Sequence, residues 1–173
     1  MRINKKMLPV LILCCLLLVI PVSALAEGIT IALGSEPTTL DPQLREDGGE
    51  RAENDNIYET LMIRTPDGKL MTGLAAEVPV LVDTQTWQVK LRPGIKFHNG
   101  EPFNATAVIF SIKRLIDPEF NSEQISFFNT IKDAVKVDDL TVAVKTDGPD
   151  PILLSRLYWI CLLYTLTLPT TLN

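Results

Sequence analysis

The stretch from Thr86 to Ile116 constrains the fold more than any other part of the chain. Trp87, Val89 and Leu91 alternate with Gln88, Lys90 and Arg92, the period-2 pattern of a strand with one buried face. Pro93-Gly94 marks a turn and Ile95-Lys96-Phe97 a second short extended piece. That piece closes on His98-Asn99-Gly100, where Asn-Gly predicts a tight turn because both residues tolerate positive φ. After Pro102, Asn104 is placed to accept hydrogen bonds from the first amides of a helix. The apolar residues Val108, Ile109, Ile112, Leu115 and Ile116 of that helix share one face, and Asp117-Pro118 stops it.

The rest of the chain alternates in the same way and predicts a mixed α/β (α+β) body with no internal repeat and no low-complexity linker. Ile29 to Leu33 reads as a short buried strand ending at Gly34, and Ser35 to Pro42 is rich in turn formers. Ala52 to Met62 reads as a helix with Ile57 and Leu61 at i, i+4. Thr141 to Lys145 alternates again, with Val142 and Val144 on the buried side, before Gly148-Pro149 breaks the strand.

The first residues have a different grammar. Arg2, Lys5 and Lys6 precede an uncharged run from Met7 to Ile20 and the small-residue stretch Ser23-Ala24-Leu25-Ala26, which together read as a secretory signal peptide over residues 1–26 with cleavage after Ala26. Pro9 and Pro21 interrupt the run, which falls short of the roughly 20 apolar residues of a spanning helix. Cys14 and Cys15 lie within the apolar run, with Leu13 before the first, and do not form a lipid-attachment pattern. Without the leader, 13 of the 16 basic residues face all 21 acidic ones, a net charge of −8. Such a surface repels nucleic acid and anionic lipid, and suits a soluble, monomeric protein outside the cytoplasm. Cys161 is the one cysteine left, so the exported body has no disulfide and relies on ordinary burial.

Several blocks carry a family resemblance: Thr39-Leu40-Asp41-Pro42, Asn56-Ile57-Tyr58-Glu59-Thr60-Leu61, Gly73-Leu74-Ala75, Trp87, Leu91 to Gly100, and Phe103-Asn104-Ala105. In order and spacing, over roughly 29–160, they resemble the oligopeptide-, dipeptide-, glutathione- and nickel-binding proteins, the family 5 solute-binding receptors of ABC importers. The resemblance implies the N-terminal portion of a two-lobed periplasmic-binding-protein type 2 fold. Residues 27–69 correspond to the first segment of the large lobe and 70–160 to most of an additional small subdomain. It also implies a periplasmic receptor that takes a peptide or similar small solute, works with ABC permease subunits, and uses no metal or other cofactor. Residues 161–173 carry no charge and depart from the family pattern, as an aberrant or truncated tail would; a natural C-terminal strand or amphipathic helix is the alternative.

The resemblance also points to a ligand-contacting loop at Arg45-Glu46-Asp47-Gly48-Gly49-Glu50. The glycines let backbone groups approach a peptide, Arg45 suits a carboxylate and Glu46 or Asp47 an amine, and Gly48 and Glu50 complete the expected ligand-contacting set. The same composition is that of a solvated loop leading into the Ala52 helix. Tyr58 and Trp87 read as core. A hydrolase is disfavoured: His98 is the only histidine and sits on a turn, and there is no Gly-x-Ser-x-Gly, His-Glu-x-x-His or Cys/His cluster. Repeats and Thr/Ser/Pro stalks that would mark an adhesive envelope protein are missing as well.

Overall fold

The structure, a computed structural model, describes Thr30, residues 32–45 and residues 48–163. The chain divides into two units, Met1–Ala32 and Leu33–Asn173. Of the first unit Thr30 and Ala32 are described, and both are exposed and belong to no element. The expected signal peptide lies outside the described residues, as do Ile29 and Ile31 of the expected first strand. The described part of that strand, including Leu33, forms none.

The second unit carries helix α1 (Gly48–Asn54), strands β1 (Met62–Arg64), β2 (Leu70–Thr72), β3 (Val80–Asp83) and β4 (Thr86–Lys90), and helix α2 (Ala105–Ile116). Two 3-10 turns (Pro118–Phe120 and Ile125–Phe128), β5 (Ile131–Asp138), β6 (Thr141–Thr146) and helix α3 (Leu153–Trp159) follow. β1 and β2 form an antiparallel pair, and the other four strands form an antiparallel sheet in the order β3-β4-β6-β5.

The central strands behave as their patterns require. Val89 faces Val142 and Trp87 faces Val144 across the β4–β6 ladder; Val89, Val142 and Val144 are fully buried, while Trp87 packs partly buried against the core. β6 is buried on both sides, with Thr141 and Ala143 covered as well, which the simple alternation did not anticipate. β3 is an edge strand and all four of its residues are exposed. Helix α2 has the expected span: Asn104 is extended (φ −153°, ψ 178°), and its Oδ1 accepts from Thr106 N at 2.9 Å and Ala107 N at 3.2 Å. Val108, Ile112 and Leu115 are buried in the core, and Ile109 and Ile116 pack at its margin. The turn before it forms where Asn-Gly predicted, with Gly100 at φ +88° and its amide donating to Phe97 O.

The expected helix from Ala52 to Met62 is corrected. α1 ends at Asn54, whose carbonyl accepts from Ile57 N and Tyr58 N, and the chain then extends into β1. Ile57 and Leu61 share no face, since Ile57 is 41% exposed and Leu61 fully buried. Backbone pairing overrides the helical spacing: Leu61 O accepts from Gly73 N and Ala75 N, and Thr60 O from Leu74 N. The approach is so close that a Cβ on Gly73 would stand 2.4 Å from Thr60 O, which explains glycine in the Gly73-Leu74-Ala75 block.

The segment expected to be aberrant from residue 161 begins as core. Cys161, Leu162 and Leu163 are buried, Cys161 bridges Thr60, Leu162 N donates to Glu59 O, and Leu163 N donates to Ser111 Oγ. The same lack of charge that made the stretch look foreign lets these three residues pack. Residues 164–173 lie outside the described residues. Among the described residues no helix is long and apolar enough to cross a membrane.

Candidate functional site

The segment from Thr38 to Arg45 contains no helix or strand and is fixed by discrete polar bonds. Asp41, in the Leu40-Asp41-Pro42 block, is the first anchor. Arg114, in the last turn of α2, donates through Nη1 to Asp41 Oδ1 at 3.0 Å and through Nη2 to Oδ2 at 2.5 Å, and also reaches Gln43 Oε1 at 3.1 Å. The Arg114 guanidinium lies 3.7 Å from the centre of the Phe120 ring. Both members of the ion pair are largely withdrawn from solvent, with side-chain exposures of 19% and 10%.

Gln43 is the second anchor. Its Nε2 donates to Ser111 O and to Cys161 O, each at 3.0 Å, and the residue is 1% exposed. Ser122 Oγ donates to Gln43 O and Gln124 Nε2 to Pro42 O, while Glu123 N donates to Leu44 O. The turn 122–124 is thereby zipped along residues 42–44. Tyr58 OH closes the other side by donating to Leu40 O. Burial, reinforced by the negative charge of Asp41, holds the Tyr58 phenol above its ordinary pKa.

The loop residues singled out from sequence emerge from this framework and have distinct surroundings. Arg45 donates through Nε and Nη2 to Glu123 Oε1, at 3.0 and 2.6 Å, and through Nη1 to Thr38 Oγ1; the Arg45 and Glu123 side chains are 43% and 57% exposed. Glu46 and Asp47 lie outside the described residues, and Gly48 opens α1. Glu50 is fully buried, with Oε1 accepting from Thr38 N at 2.9 Å and from Thr38 Oγ1. Its carboxylate therefore faces the protein and ties the two ends of the loop together. Arg114, Gln43, Ser122 and Glu123 escaped the sequence reading, because nothing local signals a partner some seventy or eighty residues away along the chain.

A separate cavity of about 530 Å³ opens between residues 55–59 and 95–99. Asp55, Glu59, Lys96 and His98 line it together with Phe97 and Phe103, whose rings are in edge-to-face contact, and neither Arg45 nor Glu50 does. His98 is exposed on its turn. Among the described residues no group of three or more His, Cys, Asp or Glu side chains is arranged to hold a metal ion.

Residues 69–169 match the family described as bacterial extracellular solute-binding proteins, family 5 Middle. The chain belongs to this family. The family match reaches well into the tail expected to depart from it, in keeping with the burial of residues 161–163. Among curated relatives, the glutathione-binding protein GsiB of Pectobacterium atrosepticum is 36% identical over 124 residues, 72% of this chain and 24% of that protein. This family 5 chain thus spans about a quarter of the length of the curated relatives it matches.

Among solved structures, Haemophilus influenzae OppA in complex with the peptide RPPGFSPFR aligns with a TM-score of 0.69 and 26% identity, over 76% of this chain and 29% of that one. Bacillus subtilis AppA in complex with a nonapeptide aligns with a TM-score of 0.70 over 75% of this chain and 26% of that one; at 22% identity it supports the fold alone. These neighbours are two-lobed periplasmic binding proteins of type 2 fold, and the family 5 chain has the fold of part of one. Its homologues are binding proteins rather than enzymes, and family 5 proteins are periplasmic in Gram-negative importers.

Proposed function

We propose that this chain is the N-terminal part of the solute receptor of an ABC importer, which captures peptides or similar small solutes outside the cytoplasmic membrane and delivers them to the permease. The observation that carries the reading is the family 5 match over residues 69–169, on a fold shared with a peptide-bound OppA. In this reading residues 1–26 direct export and are removed, 27–69 begin the large lobe, and 70–160 form the additional subdomain. The receptor works as a monomer, without catalysis and without a cofactor.

The loop after Asp41-Pro42 supplies one wall of the solute site. Arg45, Glu46, Asp47 and Gly48 contact solute there, and Glu50 acts from below by holding Thr38. Because the Arg45 guanidinium already engages Glu123, a solute carboxylate must share or displace that exposed partner, which costs little in water. The opposite wall belongs to the lobe that this chain does not span, so the solute's identity is set largely outside it. Mass spectrometry of what co-purifies with the complete receptor, exported from its own leader, tests the proposal. A peptide or peptide-like solute in stoichiometric amount, on a protein starting at Glu27, is the expected result. A protein that retains residues 1–26 and carries no solute under conditions that saturate other importer receptors overturns it.

A further inference from the structure

The proposed site depends on a loop with no secondary structure between Thr38 and Arg45, so something else must set its position. An apolar core cannot do this. Leu40 and Leu44 are 39% and 36% exposed, and contribute little of the burial that fixes β4, β6 and α2. Polar bonds remain, from Tyr58, Gln43, Ser122, Glu123 and Gln124, and among the described residues the one charged side chain that reaches residues 41–43 from outside them is Arg114. Arg114 grips both oxygens of Asp41, takes Gln43 Oε1 with the same nitrogen, and stacks on Phe120, which belongs to the turn leading to Ser122 and Glu123. Asp41 and Gln43 then organise the backbone: Asp41 Oδ1 accepts from Gln43 N, and Asp41 O from Leu44 N.

We propose that Arg114 is the positioning residue of the solute-contacting loop: by holding Asp41 and Gln43 against the end of α2, it sets where the chain departs toward Arg45 and how readily the loop opens. The inference rests on the receptor reading above for its link to solute, while the link to loop position stands on the bonds themselves. A planar guanidinium held through two nitrogens fixes direction as well as distance, which a lysine ammonium does not.

Amide hydrogen exchange on the full chain tests this, with Arg114→Gln, Arg114→Lys and the charge-free pair Asp41→Asn/Arg114→Gln. Exchange at Gln43, Leu44 and Glu123 should accelerate about tenfold or more in Arg114→Gln, while the amides of β4 and β6 keep their wild-type rates. The double variant should recover part of that loss, because it leaves no buried charge, and Arg114→Lys should recover less than the double variant. In the complete receptor, a tripeptide probe should bind about tenfold more weakly to Arg114→Gln, and the loss should shrink when Arg45→Ala is already present, as coupling through the loop requires. Unchanged exchange at 43–44, or equal acceleration across β4 and β6, overturns the positioning role. Failure of the probe to bind even the wild-type receptor counts against the receptor reading, and the exchange data then still decide the role of Arg114.

Discussion

Two regions of the molecule are held together by different forces. From β4 to α3 the chain is fixed by apolar burial: Val89, Val108, Ile112, Leu153 and Leu157 are wholly inaccessible and belong to one core. From Thr38 to Arg45 it is fixed by an ion pair and a few hydrogen bonds to residues distant in sequence. Burial is non-directional and shared among many contacts, so losing one member weakens the whole domain. A polar anchor is directional and has few members, so its loss is felt locally. If residues 38–45 lead into a solute wall, as proposed above, an anchor of the second kind lets that wall adjust without unfolding the core.

Truncating the core should give the largest effect. Leu115→Ala removes a side chain that is 1% exposed under the sheet and should cost about 2–5 kcal/mol in denaturant unfolding. A loss confined to residues 38–45, with the sheet unaffected, would erase the distinction between the regions. Asn104→Ala vacates a cap that serves two amides and should cost about 0.5–2 kcal/mol, read as a lower denaturant midpoint at constant slope. An unchanged midpoint would mean that the helix start does not matter to the body. Glu123→Gln, at the exposed end of the polar region, should change global stability by less than about 1 kcal/mol.

The smallest expected effect is one of pH. The hydrogen bond from Lys113 is the main influence that holds the Asp133 carboxyl below the ordinary carboxylate range, and Ala134 N adds to it. A folded-state pKa below the unfolded one means that the contribution is present above the ordinary carboxylate range and is lost as pH falls through the folded value. Asp133→Asn should therefore lower stability slightly on the neutral side, flatten the fall toward acid, and leave stability at the lowest pH nearly unchanged. A steeper acid side in the variant would contradict the assignment.

The body was far more legible in the sequence than the site. The alternation at Trp87, Val89 and Leu91, the cap at Asn104 and the Asn-Gly turn are all local signals, and each lies where expected. The helix placed over Ala52 to Met62 failed for the converse reason. A strand that pairs with Gly73-Leu74-Ala75 depends on a partner that local spacing does not report. The loop's supports were equally hidden, because Arg114 reads as an ordinary basic residue in the last turn of a helix until Asp41 is brought against it. Glu50 is expected at the solute from its place in the loop, in a run that also reads as solvated, and only the fold shows its carboxylate turned onto Thr38.

In the function proposed above, this chain supplies one wall of a solute site whose affinity requires closure by a second lobe. Thermal melts of the complete receptor, and of this chain from residue 27 through its buried residues 161–163, against a peptide library measure it directly. A solute at about 100 times its Kd stabilises the folded state by about 2.7 kcal/mol, an easily visible shift in Tm. That shift is expected for the complete receptor and none for the isolated segment; saturable stabilisation of the segment by micromolar peptide would place the binding determinants within it and overturn the one-wall proposal.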